Sequence, residues 1–136
     1  MSATQNLTYA VIQIVHNAGA VATVAGSLAA LMSGNRKTRK KLAGLALGGW
    51  ATQAASGSAF AGVSYYFYHR FPDISGIAAD ALVIKMACAA TGILLLAAYL
   101  FHGDNWSASR MDTSWVASSV LAVTALSAAA FLRWFS

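Results

Sequence analysis

Three ionisable side chains lie inside stretches of sequence that are otherwise apolar: His16, Asp80 and Lys85. An ionisable group at membrane depth is costly, so such a residue is by default a functional candidate. Counted inward at about 1.5 Å per residue, His16 is about 13 Å from Leu7 and Lys85 is about 16 Å from Ile74. Their similar depth predicts that the two groups lie near the middle of a bilayer. Asp80 is about 9 Å in and, being five positions from Lys85, falls on a different helix face.

A histidine that points into a helical bundle has three chemical uses, and the residues leave all three open. It can ligate haem iron, it can be a hydrogen-bonded or proton-handling group, or it can bind copper. For haem b, we expect His16 to be the metal ligand, with Gly19, Gln53 and Lys85 lining the cofactor site. Gln53 and Ser56 are the residues that would complete a polar pocket around the imidazole. No Met or Cys lies in register with His16, which disfavours copper.

The composition predicts a protein whose surface faces lipid. The chain has 136 residues, of which 58% are hydrophobic and 10% are charged, and its mean hydropathy is +0.59. Soluble domains carry about 25% charged residues. Four apolar stretches, about 7–31, 42–68, 74–101 and 113–134, are each long enough to cross a bilayer. The sequence therefore predicts a single all-α, four-span domain over residues 1–136, folded as an integral membrane antiparallel four-helix bundle.

The basic residues predict the orientation of this bundle. Five of the nine Lys and Arg residues lie in the short segment SGNRKTRKKLAG, which the apolar pattern leaves as a loop. They are Arg36, Lys37, Arg39, Lys40 and Lys41. By the positive-inside rule this segment faces the cytoplasm and both termini lie on the outer side, in the inner membrane if the cell is bacterial. Because a topology signal accounts for the net charge of +5, the expected partners are the lipid bilayer and other membrane subunits or further copies of the chain, and no nucleic acid.

Small residues are concentrated on the first helix, on the side that carries His16. They include Gly19, Thr23, Gly26 and Ser27. Such a face permits close helix packing in a membrane, and it would equally leave room for a flat cofactor. The lone Cys88 cannot form an internal disulfide and is expected to be a small packing residue.

Two short motifs resemble a group of small bacterial membrane proteins. The first helix reads H-x-x-G-A-V from His16 to Val21, and the third reads A-L-V-I-K-M-A from Ala81 to Ala87. This pattern resembles the copper-resistance D family and the membrane-embedded protoporphyrinogen oxidase family. In the latter, a first-helix histidine and a third-helix lysine are the functional pair, and haem b is bound. The resemblance implies that His16 and Lys85 are the corresponding pair in this chain.

The sequence thus supports three hypotheses about function. The first is a haem b-binding redox subunit or anchor that transfers electrons, with His16 as an axial ligand. The second is a membrane oxidase of tetrapyrrole precursors that uses His16 and Lys85 as proton-handling groups. The third is an accessory or structural subunit of a larger membrane complex. Whether the protein is an enzyme stays open at this point.

Overall fold

The computed structural model describes residues 2–136 as four long helices and one short 3-10 turn. The helices are α1 (Ala3–Met32), α2 (Arg36–Tyr68), α3 (Gly76–His102) and α4 (Ala108–Phe135), and the turn is Gly103–Asn105. The predicted all-α class is confirmed. Three segments, α1, α3 together with the turn, and α4, are long and apolar enough to cross a membrane.

The second helix differs from the prediction at its start. It begins at Arg36 and not near Leu42, so the basic residues lie in the first two turns of a helix and the prediction of a basic loop is wrong. The Asn35 side chain caps this helix by accepting hydrogen bonds from the backbone N–H groups of Lys37 and Thr38, at 2.9 and 3.1 Å. Arginine and lysine have high helix propensity, so the helix continues directly from the Asn35 cap.

The fourth helix also begins earlier than predicted, at Ala108 and not near Thr113. Ser107 is its N-cap and accepts a hydrogen bond from the backbone N–H of Arg110. The apolar pattern marks only the part of a helix that faces lipid or core, whereas the cap marks where the backbone hydrogen bonds begin. Because the prediction used only the apolar residues, it placed the starts of α2 and α4 several residues too late.

Helix α2 is as long as the others but is less apolar. Its first turns carry the five cations, and its middle contains glycine, serine, threonine and glutamine. It packs along α1 more extensively than any other helix pair in the bundle, and α3 packs in a similar way along α4; smaller contacts join α1 to α4 and α2 to α3. The polar and small residues of α2 thus lie in a helix with protein neighbours on two sides.

Glycine lets α1 and α2 approach closely. A Cβ atom on Gly49 would lie 2.7 Å from the Thr23 backbone nitrogen and 2.8 Å from the Gly19 carbonyl oxygen. The Thr23 hydroxyl donates a hydrogen bond to the Gly19 carbonyl at 2.9 Å, which satisfies it inside the interface. The small face of α1 is therefore used for helix packing, the first of the two uses that the sequence left open.

The centre of the bundle is filled by large aromatic side chains. Trp50 of α2 lies against Gly92 of α3, where a Cβ atom would be 2.6 Å from the indole Nε1. Trp115 of α4 is fully buried and meets the Tyr99 ring edge-on, with ring centroids 5.0 Å apart. Cys88 is buried in the same core, as predicted for a packing residue.

The two ends of the bundle are packed differently. Among residues 3–18 of α1 and 57–68 of α2, none is fully buried. On the same side of the bundle, α3 and α4 retain small buried residues such as Ala78, Ala81 and Ala128. We call the tightly packed end, which carries the five cations, the basic end, and the other the open end.

Ion pairs join α2 to the segment before α4 and to α4 itself at the basic end. Arg39 is buried; its guanidinium contacts Asp112 at 2.7 Å and donates to the Ala30 carbonyl oxygen at 3.0 Å. Lys40 pairs with Asp104 at 2.8 Å, but both of these side chains are exposed. The Arg39 contacts thus connect three helices, whereas the Lys40 contact is a surface ion pair.

We expect Arg39→Met to lower the free energy of unfolding by about 2 kcal/mol, because hydrogen bonds of a buried charged group contribute more than exposed ones. Lys40→Met removes the same charge one position along and is the matched control, with a clearly smaller effect. The measurement is thermal unfolding in detergent, followed by tryptophan fluorescence. Equal losses in the two variants would contradict the assigned role of Arg39.

Candidate functional site

The His16 and Lys85 side chains meet directly. Lys85 Nζ lies 2.8 Å from His16 Nε2, although 69 positions separate the residues in the chain. Their helices, α1 and α3, are not among the extensively packed pairs of the bundle, so the contact is made by the two long side chains. The depth argument from the sequence, which placed the two groups at the same level, is confirmed by this distance.

A serine fixes the orientation of the imidazole ring. Ser56 Oγ lies 2.7 Å from His16 Nδ1 and 2.6 Å from the Thr52 carbonyl oxygen. A carbonyl oxygen only accepts, so the single hydroxyl proton of Ser56 goes to Thr52. Ser56 Oγ must then accept from His16 Nδ1–H, which leaves the Nε2 lone pair to accept from Lys85.

The remaining neighbours hold the backbone and the ring of His16. Gln53 is buried, and its side-chain amide donates to the His16 carbonyl oxygen at 2.6 Å. Phe60 meets the imidazole edge-on, with ring centroids 5.9 Å apart. At Gly57 a Cβ atom would lie 4.0 Å from His16 Cε1, so the glycine leaves the ring ordinary space. We call His16, Gln53, Ser56 and Lys85 the His16 cluster.

The His16 cluster is a row of hydrogen bonds suited to moving protons. Lys85 donates to His16, His16 donates to Ser56, and Ser56 donates to the Thr52 carbonyl. An imidazole with a donor on one nitrogen and an acceptor on the other can take a proton on Nε2 while keeping its bond to Ser56. His16 and Lys85 are only partly buried.

Gly19 was expected to line the site, whereas Asp80 was expected on a different helix face from Lys85; neither residue belongs to the His16 cluster. Gly19, predicted to line a cofactor, is buried against Thr52 and Gly49, where a Cβ atom would lie 3.0 to 3.1 Å from α2 atoms. It shapes the α1–α2 interface beneath the cluster and does not face Lys85. Asp80 is exposed, and none of the hydrogen bonds or ion pairs within residues 2–136 involves it.

The other two histidines are far from the His16 cluster along the bundle axis. His69 follows α2 at the open end with a left-handed backbone (φ 54°). His102 is the last residue of α3, at the basic end, and is exposed. Neither contacts His16. In the part of the chain that the structure describes, no three His, Cys, Asp or Glu side chains come together to hold a metal ion.

The cluster fits haem iron only with a change in Lys85. Nε2 is the nitrogen that would ligate iron, and the Nδ1–H bond to Ser56 is the support that such a ligand usually has. However, Lys85 Nζ lies where the iron would lie, at 2.8 Å from Nε2. Around Gly19, α1 packs directly against Gly49 and Thr52 of α2.

The roles of Thr52 and Arg39 were not predicted, and only that of Arg39 has a signal in the sequence. Thr52 acts through its backbone carbonyl, which no residue type reveals. Arg39 was indistinguishable from its cationic neighbours until the helix phase was known, since only that phase turns it inward. With Asn35 read as an N-cap, positions 39, 43, 46 and 50 would have fallen on one face, which is the buried face.

No family model, no curated protein and no solved structure matches the chain.

Proposed function

We propose that this chain is an integral membrane protein whose His16 cluster accepts and passes protons during the oxidation of a tetrapyrrole precursor dissolved in the membrane. The observation that carries the proposal is the hydrogen bond of 2.8 Å between Lys85 and His16 Nε2. Two proton-carrying groups in direct contact, on helices that otherwise barely touch, have a position that packing alone does not require. The tetrapyrrole substrate class comes from the resemblance of the two motifs.

The proposal includes the arrangement of the chain in the membrane. All four helices cross the bilayer as an antiparallel bundle, since the connections between them are short. The basic end faces the cytoplasm and both termini lie outside, because the five cations of α2 are retained on the inner side. Three sufficiently apolar segments support this arrangement, and α2 is included because α1 and α3 flank it. In a bacterium, this membrane is the inner one.

In this proposal, oxidation releases protons and electrons from the substrate, and the His16 cluster transfers the protons but not the electrons. Neutral His16 takes a proton on Nε2, and Lys85 is the group that exchanges protons with it. Ser56 keeps the imidazole ring in place throughout, because its Oγ accepts a hydrogen bond from His16 Nδ1–H. The electrons pass in pairs to a quinone dissolved in the membrane, which takes up two protons with each pair and becomes the quinol; three such steps convert protoporphyrinogen to protoporphyrin.

The test is oxidation of protoporphyrinogen by the detergent-purified protein with an added quinone as electron acceptor, followed by the fluorescence of protoporphyrin. His16→Ala and Lys85→Met are expected to lower turnover by about 10²- to 10⁴-fold, whereas His102→Ala, at the far end of the bundle, leaves it unchanged. Turnover at the wild-type rate in Lys85→Met would overturn the proposed role of the pair.

A second candidate function is a haem b-binding redox subunit, and the orientation of His16 favours it. The ring presents a lone pair on Nε2 and is anchored on Nδ1, as axial histidines are. The Lys85 side chain would have to turn aside to admit the iron. Bound haem would supply one-electron redox chemistry at this depth in the membrane.

A reduced-minus-oxidised visible spectrum of protein expressed with ample haem tests this candidate. A b-type α band that disappears in His16→Ala and persists in His102→Ala is the expected result if haem is bound. Because Lys85 covers Nε2, Lys85→Met should retain or strengthen the band. A colourless wild type that also lacks turnover would instead favour an accessory subunit, which should co-purify with a partner.

A further inference from the structure

An apolar groove runs along the lipid-facing surface of α1 and α2, outside the His16 cluster. Its cavity volume is about 360 Å³. Ala18 and Ala22 line it from α1, and Gly44, Leu45 and Gly48 line it from α2. A Cβ atom on Gly44 or Gly48 would meet nothing within 4 Å. These glycines therefore hold open a surface that no part of the bundle covers.

Two cations lie at the basic end of this groove without an acidic partner. Lys37, Lys41, Gly44 and Gly48 are spaced i, i+4, i+7 and i+11, which places them on one face of α2. This is the face opposite the buried one, and all four residues are exposed. The groove and the two lysines are thus parts of one continuous surface.

The acidic residues at the basic end are already paired. Asp104 binds Lys40, and Asp112 binds Arg39. The remaining two acids of the chain, Asp73 and Asp80, lie before and within the first turns of α3, at the open end. Lys37 and Lys41 therefore present uncompensated positive charge at the head of the groove.

We propose that this surface binds one anionic phospholipid, with its phosphate on Lys37 and Lys41 and an acyl chain in the groove. The length of the groove agrees with this occupant. From Lys41 to Thr52, its far end on α2, is about 16 Å at 1.5 Å per residue, which is close to half of a bilayer core of about 30 Å. An acyl chain that spans one leaflet of the bilayer covers that distance.

Charge argues against a second copy of the chain as the occupant. Two copies in one membrane, related by a two-fold axis along its normal, would place α2 against α2. Lys37 and Lys41 would then face the same lysines of the other copy, and this like-charge contact is unfavourable. An anionic headgroup would instead neutralise the charges of Lys37 and Lys41.

The experiment is native mass spectrometry of delipidated protein titrated with phosphatidylglycerol or with phosphatidylcholine. We expect one phosphatidylglycerol molecule to bind with a Kd roughly tenfold lower than that of phosphatidylcholine, since two lysines contribute at the headgroup. Lys37→Gln combined with Lys41→Gln should remove this preference. Arg133→Gln, at the open end, is the control for loss of a positive charge.

Filling the groove tests separately whether an acyl chain binds in it. Gly48→Leu puts a side chain into open space and should abolish retention of the lipid without loss of thermal stability. Gly62→Leu is the matched control, because a Cβ atom there also meets nothing within 4 Å and the residue lies outside the groove. Equal affinity for the two lipids, or unchanged binding in Gly48→Leu, overturns the proposal. A dimer that dissociates in Gly48→Leu while lipid binding persists would assign the groove to a second copy instead.

Discussion

Replacing Lys85 with methionine is expected to reduce turnover of protoporphyrinogen by about 10²- to 10⁴-fold, which is the usual contribution of a positioned proton-transfer group. Methionine keeps the length and much of the volume of the lysine side chain while it removes every N–H donor. His16 Nε2 then loses its hydrogen-bond donor at 2.8 Å, whereas the Nδ1 bond to Ser56 is unaffected. The loss should therefore appear in the rate and not in the amount of folded protein.

Nitrogen-15 NMR of histidine-labelled protein separates this chemical effect from a structural one. In the wild type we expect His16 as the Nδ1–H tautomer, with Nε2 accepting a hydrogen bond. In Lys85→Met the tautomer should persist while the Nε2 resonance moves to its value without a donor. A mixture of tautomers in the variant would show that Lys85 acts by holding the ring. Lys40→Met, at the basic end, is the control for loss of a lysine and should change neither signal nor rate.

The largest effect on stability is expected at the closest contact between two helices. Gly49→Ala adds a Cβ atom that would lie 2.7 Å from the Thr23 nitrogen and 2.8 Å from the Gly19 carbonyl, both backbone atoms. Backbone atoms of α1 cannot turn away as a side chain can, so the helices must separate. Overpacking of this kind costs about 1–3 kcal/mol, and we expect the melting temperature of the detergent-solubilised protein to fall by several degrees.

The adjacent glycine provides the control for this prediction. Gly48→Ala places its Cβ atom where nothing lies within 4 Å, so the only change is the gain in helix propensity of about 1 kcal/mol or less. The melting temperature should stay the same or rise slightly. Similar destabilisation by both substitutions would mean that the α1–α2 contact at Gly49 is looser than described.

The lengths of the apolar stretches were sufficient to predict the number of helices but not where they begin. α1 and α3 were located to within a few residues, because their apolar stretches are long. α2 was predicted to begin six residues late, since all six residues from Arg36 to Lys41 are polar. Reading Asn35 as a cap would have corrected this start, and it would also have shown that Arg39 faces inward.

The His16 cluster was predicted in part. Helix rise is constant, so counting residues placed His16 and Lys85 at one depth, and small polar residues on α2 suggested Gln53 and Ser56 as neighbours. The hydrogen-bond directions could not be predicted, because they depend on the Thr52 carbonyl and on the rotation of α2 about its axis. Gly19, predicted to line a cofactor, packs against α2: a small residue beside a histidine can face either the site or a neighbouring helix, and the sequence does not distinguish the two. Haem ligation stays a prediction.

The unequal packing of the two ends has a consequence for how such a protein can change over evolutionary time. Substitutions at the basic end meet close helix contacts, buried aromatic rings and the Arg39 network, so few of them are tolerated there. At the open end the side chains of residues 3–18 and 57–68 are not fully buried, and replacing them costs little stability. The His16 cluster lies at the inner edge of the open end. Residues around the cluster on the open side can therefore diversify while the part of the sequence that secures folding stays constant.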